Sequence, residues 1–196
     1  DATVRGEELL KENASLDICI AGEGEYTTLE LLNQIKRKKS LKKVRGIFYR
    51  YKNKVLFTGY RPFIEKLDDL PLPAYQSADM KEYLSPKNRL SGRGDGKNLR
   101  EISIITSRGC PFNCIFCSIH LHMGRKWRAN SIEYVLKHIE FLVKKYNVQH
   151  IHFEDDNMTL DKRRFEGILD GIIKKKLNFS WDTPNGIRAD TLDERI

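Results

Sequence analysis

The chain has no apolar run approaching the roughly 20 residues of a membrane-spanning helix, and no signal-peptide pattern opens it. A cytoplasmic location is therefore expected. Cysteine is scarce, at four residues in 196, and three of the four fall within eight positions. That distribution does not build a secreted disulfide framework; inside a cell such crowding more often holds a metal. No internal repeat or low-complexity tract appears, and there is no initiating methionine. The start at Asp1, and an end at 190-DTLDERI-196 that reads as the opening turn of a helix, are expected of a piece of a longer polypeptide. What remains is 40% hydrophobic, 32% charged and 10% aromatic, the profile of a globular protein of one or two domains with enough apolar residues for a core.

The net charge of +8 is concentrated in 36-KRKKSLKKVR-45. Such a run could touch RNA or anionic lipid, but no aromatic residues interleave with it, so it reads as a solvated helix end and loop.

Residues 16-LDICIAG-22 read as a short buried strand, and 26-YTTLELLNQI-35 as a helix capped by Thr27 or Thr28. The Gly22-Glu23-Gly24-Glu25 turn between them completes a βα unit of the doubly wound kind. Two β-rich runs within 44–61, separated by 52-KNK-54, predict a hairpin, and the stretch 62–98 reads as linker and loop. From residue 100 the pattern is regular. Strands are expected at 101–107, 148–154 and 178–184, and helices at 131–147, with Ser131 as N-cap, and 162–177. That alternation predicts parallel strands with crossover helices: three βα units, too few to close an eight-stranded barrel.

The stretch 103-SIITSRGCPFNCIFCSIH-120 sets Cys110-x3-Cys114-x2-Cys117 just after a β-branched strand. Three thiolates are one short of a closed zinc site, and His120 or His122 could complete a Cys3His set. The other reading is an iron–sulfur cube held by three cysteines, with one iron open to an exogenous ligand. The position at the C-terminal end of a strand, where βα folds place active sites, favours the second. Cys19 reads as a small core residue.

Position for position, Cys110, Cys114, Phe116 and Cys117 resemble the Cys-x3-Cys-x-aromatic-Cys loop of the radical S-adenosylmethionine (SAM) superfamily. The stretches 22-GEGEYTTLELL-32, 67-LDDLPLPAY-75, 153-FEDDNMTLDKRR-164 and 184-PNGIRADTLD-193 resemble its cobalamin-binding-domain branch. The resemblance implies an α/β fold: a partial (βα) TIM-like barrel of the radical SAM type over 99–196, a hairpin and linker over 41–98, and the tail of a Rossmann-like domain over 1–40. It implies a 4Fe–4S cluster whose open iron chelates the amino and carboxylate groups of SAM. Reductive cleavage would give methionine and a 5′-deoxyadenosyl radical acting on an unactivated carbon of a small-molecule or lipid-like substrate. Oxidoreductase, methyltransferase and cyclase chemistries all stay open, and a low-potential donor such as flavodoxin or ferredoxin is implied. The Asp-x-His-x-x-Gly motif that supplies a lower cobalt ligand in many relatives is absent. Some members lack it, so cobalamin stays open. RNA modification, as in the methylthiotransferases, is a second reading motivated by the charge, and a zinc-stabilised binding module without catalysis is a third.

The resemblance assigns Glu154, Asp155 and Asp156, at the end of the second strand, to the SAM ammonium, a role carboxylates fill by accepting charge-assisted hydrogen bonds. Three adjacent acids repel one another, so one is expected to face the ligand and the others to cap the next helix. Asp161 reads as a cap. Asn185 and Arg188 fall in a polar turn opening toward the same face; the Arg188 fork suits the SAM carboxylate, and equally a surface salt bridge. His150 and His152 flank Ile151 and share one strand face; inside a barrel they would face substrate, outside it they would pack under a helix, and packing is the reading taken here. Trp127 and Arg128 read as buttresses of the cysteine loop.

Overall fold

The structure, a computed structural model, describes residues 2–85 and 99–193, which divide into two compact units. The first comprises residues 1–65 with 109–126, the second 66–108 with 127–196. Among the described residues no helix is long and apolar enough to cross a membrane.

In the first unit, α1 (Ala2–Glu12) leads into β1 (Ile18–Ile20), α2 (Glu25–Lys36), β2 (Ile47–Tyr51) and β3 (Lys54–Phe57). The expected hairpin forms, turning at Lys52 and Asn53 with Lys52 at φ 53°. It does not stand apart as linker: β1 pairs antiparallel with β2, giving the sheet order β1-β2-β3. The strand–turn–helix that reads as a doubly wound unit thus enters an antiparallel sheet. Cys19 is buried with Leu10, Ala21 and Phe48, the core role expected of it. The α2 cap differs from expectation. The helix starts at Glu25 with Gly24 at its N-cap, and Thr27 is buried, donating to Arg45 O and accepting from Arg61 Nε. Helix α1 has no counterpart in the sequence reading; it approaches the sheet so closely that a Cβ at Gly6 would lie 2.3 Å from the Phe48 ring.

In the second unit, residues 66–85 make two 3-10 turns and the short α3 (Met80–Tyr83). The glycine-rich 91-SGRGDGKN-98 lies outside the described residues. Then come β4 (Glu101–Ile104), β5 (Ser107–Arg108), β6 (Arg128–Ala129), α4 (Ile132–Tyr146), β7 (His150–Phe153), α5 (Lys162–Lys174) and β8 (Ser180–Asp182). Strands β4, β7 and β8 form the expected parallel sheet in that order, and β5 and β6 a separate antiparallel ribbon. Ser131 caps α4 by accepting from Tyr134 N at 3.1 Å, and Asn147 ends it in the left-handed conformation. Asp161 caps α5, accepting from Arg164 N at 3.0 Å. The expected helix opening at 190 is a 3-10 turn, Ala189–Thr191; residues 194–196 lie outside the described set.

Alternation along the strands separates two faces. Ile102, Ile104, Ile151 and Phe153 are buried in one core with Val135, Ile139 and Leu142 of α4 and Phe165 and Ile168 of α5. Glu101, Ser103, His150, His152, Ser180 and Asp182 stand on the opposite face, in register across the strands. His150 and His152 therefore do not pack under a helix: the alternating isoleucine and phenylalanine take that side.

Candidate active site

The segment 109–126 leaves the ribbon after Arg108 and returns to it at Trp127. Gly109 makes the departure possible. Its φ is +81°, and a Cβ there would sit 2.5 Å from Lys126 O and 3.0 Å from Met123 O, so only glycine fits. The Cys110 N–H donates to Gly124 O at 3.3 Å, and the Cys117 N–H to Cys114 O at 3.0 Å, closing the turn that carries the last two cysteines. Arg125 reaches Asn113 Oδ1 and, at 3.4 Å, Phe112 O. None of the three is in a disulfide; Cys114 is exposed, and Cys110 and Cys117 are half-buried. Beside them Phe116 is 90% exposed and Ile115 fully so, an apolar rim that water solvates poorly.

The donor set was tested against the two metals it could take. A single zinc would draw its ligand atoms close together. Among the described residues the three sulfurs are not gathered within 4.8 Å, and neither His120 nor His122 joins two of them at that spacing. A cube binds each thiolate at a separate iron, and three thiolates are the number it needs when one iron stays open.

In the second unit the acidic turn follows β7, and the three acids do different things. Glu154 extends the ladder, its N–H donating to Ile104 O at 2.9 Å; its carboxylate accepts from Ser103 Oγ at 3.2 Å, and its carbonyl accepts from Asn185 Nδ2 at 3.0 Å. Asp155 points inward and is 1% exposed, accepting from Thr106 N at 3.1 Å, from Thr106 Oγ1 at 2.8 Å and from Ser107 Oγ. Burial pushes its carboxyl above the usual carboxylate range, opposed by those hydrogen bonds and by the Arg164 charge. Asp156 is half-buried. No cap of α5 comes from this trio; Asp161 supplies it.

A buried network that the sequence reading missed surrounds Asp155. Arg164 donates through Nη2 to Thr106 O and Thr106 Oγ1, both at 3.0 Å, and through Nε to Asn130 O at 2.7 Å. Asp68 accepts from Asn130 Nδ2 at 3.0 Å and Ser131 N at 2.9 Å. Trp127 Nε1 donates to Asn157 O at 3.1 Å, holding the residue at which the cysteine segment returns. Residues 106–107 and 127–130 are the stems of that segment, and this network fixes both. Arg188 makes a two-pronged pair with Asp190, at 3.0 and 2.6 Å, which holds the Asp190 carboxyl below the usual range. Of the two roles open to Arg188, the surface pair is the one formed.

Residues 104–195 match the family model of the Radical SAM superfamily. Over that stretch the chain resembles a radical SAM domain. Over 99% of its length the chain is 34% identical to an uncharacterized methyltransferase of Pyrococcus horikoshii, covering 39% of that protein. Over 94% it is 27% identical to the cytidylyl-2-hydroxyethylphosphonate methyltransferase of Streptomyces wedmorensis, covering 38% of it. The chain thus spans about two-fifths of the length of these curated relatives. The cobalamin-dependent S-adenosylmethionine radical enzyme OxsB, solved with aqua-cobalamin and S-adenosylmethionine bound, shares the fold. Its TM-score is 0.69 at 24% identity, over 92% of this chain and 24% of that one.

Proposed function

We propose that the chain carries the cluster-binding and SAM-binding part of a radical SAM enzyme, with Cys110, Cys114 and Cys117 as the three protein ligands of a 4Fe–4S cluster. The observation that carries this reading is the glycine-hinged segment with three cysteines outside any disulfide, leaving the β5-β6 ribbon within residues 104–195. When bound, the cluster and SAM supply a low-potential electron and a cleavable sulfonium, hence a carbon-centred radical. The protein's part is to bind and orient. The exposed Phe116 offers an aromatic face and Glu154 and Asp156 carboxylates for an ammonium. Asn185 and Arg188 complete the polar turn; for Arg188 to meet a carboxylate it must exchange Asp190 for it. Asp155 serves from within, by fixing Thr106 and Ser107.

The methyltransferase names of the relatives support a small organic molecule as substrate; action at an unactivated carbon, a flavodoxin- or ferredoxin-type electron donor and a reducing, cytoplasmic setting belong to the proposal alone. Cobalamin enters only through the relatives. All five histidines lie at or beyond residue 120, so residues 1–65 offer no imidazole to cobalt. The test is anaerobic reconstitution with iron and sulfide. The parent should show broad iron–sulfur absorption that is lost in each of Cys110→Ala, Cys114→Ala and Cys117→Ala and kept in Cys19→Ala, His120→Ala and His122→Ala. A colourless protein binding one zinc, with His120 or His122 required, would sink the reading.

A further inference from the structure

The sheet face turned away from the helices carries two rows of polar side chains: Glu101, His150 and Ser180, then Ser103, His152 and Asp182. His152 is 1% exposed and Glu101 6%, so these groups must satisfy one another. Ser180 Oγ lies 3.3 Å from Gln149 O and 2.7 Å from His150 Nδ1. With the Ser180 proton on Gln149 O, Ser180 accepts from His150 Nδ1–H and the His150 Nε2 presents a lone pair. That lone pair lies 3.6 Å from Asp182 Oδ2. His152 stands between two carboxylates, with Nδ1 2.7 Å from Asp182 Oδ1 and Nε2 3.5 Å from Glu101 Oε2. Whichever nitrogen of a neutral His152 holds the proton, the other presents a lone pair to a carboxylate. The row thus sets the carboxylates of Glu101 and Asp182 against two imidazoles, an arrangement that a bound cation would complete.

The geometry points to a second metal site, formed by His150 Nε2, His152 Nδ1 and Asp182, that takes one first-row divalent ion of the zinc or ferrous type. Among the described residues this is the grouping of three metal-type donors whose ligand atoms all lie within 4.8 Å of one another. Imidazole and carboxylate suit such ions. Bonds of about 2.0–2.1 Å in a tetrahedral arrangement set donors roughly 3.4 Å apart. The 3.6 Å pair already fits, and the 2.7 Å pair must open by about 0.7 Å. Outer partners are in place as well: Ser180 stands 2.7 Å from the far nitrogen of His150 and Glu101 3.5 Å from that of His152, where each can take the N–H of a ring that ligates through its inner nitrogen. Three protein ligands leave at least one coordination position for water or an oxygen of a bound molecule. None of these residues belongs to the cysteine loop, so the site stands whether or not the cluster reading does.

The test uses the full-length protein. In a variant carrying Cys110→Ser, Cys114→Ser and Cys117→Ser, zinc should remain at one equivalent after desalting. Cobalt should give weak visible bands without thiolate charge transfer. Asp182→Asn and His150→Gln should each weaken zinc binding at least tenfold. Zinc should also raise the thermal midpoint of the cluster-loaded parent by several degrees at about a hundredfold excess over its dissociation constant, a readout that needs no variant to fold. Zinc bound with parent affinity by both folded variants overturns the site. So does an unchanged midpoint with no zinc retained at micromolar concentration, in which case the row carries protons.

Discussion

Replacing Asp155 separates two roles a carboxylate at the end of β7 could have. In the structure it accepts from Thr106 N, Thr106 Oγ1 and Ser107 Oγ, and it feels the charge of Arg164, whose Nη1 finds no hydrogen-bond partner among the described residues. In Asp155→Ala the two hydroxyls can turn toward other acceptors, but the Thr106 N–H cannot. An orphaned buried donor costs about 1–3 kcal/mol. Breaking a buried charge pair at one partner costs about 3–5 kcal/mol. No ion pair joins Asp155 to Arg164, so the orphaned donor sets the expected loss at about 1–3 kcal/mol, a large share of a stability of about 5–15 kcal/mol. Asp155→Asn keeps an acceptor oxygen but sets an amide N–H₂ against one of the donors, for a loss of about 1–3 kcal/mol. Urea unfolding of the reconstituted protein gives these figures, and SAM titration of the same samples gives affinity. If Asp155 anchors the loop stem, stability falls, and SAM binding falls only in proportion to lost cluster. If it held the SAM ammonium directly, Asp155→Asn would keep parental stability and bind SAM roughly ten- to a hundredfold more weakly. That second result would refute the argument from burial.

Two further outcomes test the cores. Burial lowers the pKa of His138 from 6.5 to about 4, and its Nε2 lies 2.7 Å from the Tyr75 hydroxyl. A depressed folded-state pKa means the unfolded chain takes up the proton first. The contribution is therefore intact above pH 6.5 and is lost as pH falls toward 4, at about 1.4 kcal/mol per unit and roughly 3 kcal/mol in all. Denaturant midpoints between pH 7 and pH 4.5 should show this slope, and His138→Gln should flatten it; an unchanged slope in the variant would assign the effect elsewhere. Gly6→Ala ordinarily favours a helix by about 0.5–1 kcal/mol. Here the added Cβ meets the Phe48 ring at 2.3 Å, and that ring is stacked on Phe57 at 4.2 Å, so overpacking of about 1–3 kcal/mol should win and lower the melting temperature. A raised melting temperature would mean that α1 can shift away from the sheet without loss.

The parts of the fold legible in the sequence are those that local rules determine. The stripe of Ile132, Val135, Ile139 and Leu142 with Ser131 ahead of it marks α4 within a residue at each end, and Asp161 is legible as a cap because it precedes an amphipathic run. The three-cysteine spacing is likewise local. What the sequence does not show depends on partners far along the chain. α1 buries Thr3, Gly6 and Leu10, two of them not apolar, so its inward face has no hydrophobic period. Thr27 beside Gly24 looks like a cap until Arg45 and Arg61 claim its hydroxyl. Asp155 cannot be told from Glu154 and Asp156 by neighbours alone, since residues 48 and 49 positions earlier turn it inward.

The same limit explains the histidine row. Alternation in 101-EISI-104, 150-HIHF-153 and 180-SWD-182 shows that each strand has a polar and an apolar side, but not which side meets the helices. Crossover topology decides it: α4 and α5 both lie on one side of the sheet and recruit Ile102, Ile151 and Phe153, and the polar residues of all three strands are thereby forced onto the other. A single strand with two histidines is unremarkable. Three parallel strands in register convert them into a row with Glu101 and Asp182, where imidazole and carboxylate donors converge. The barrel interior of this family of folds is usually filled by branched apolar side chains in layers. Here those layers are polar, which is the arrangement expected where the interior is meant to hold something other than its own side chains.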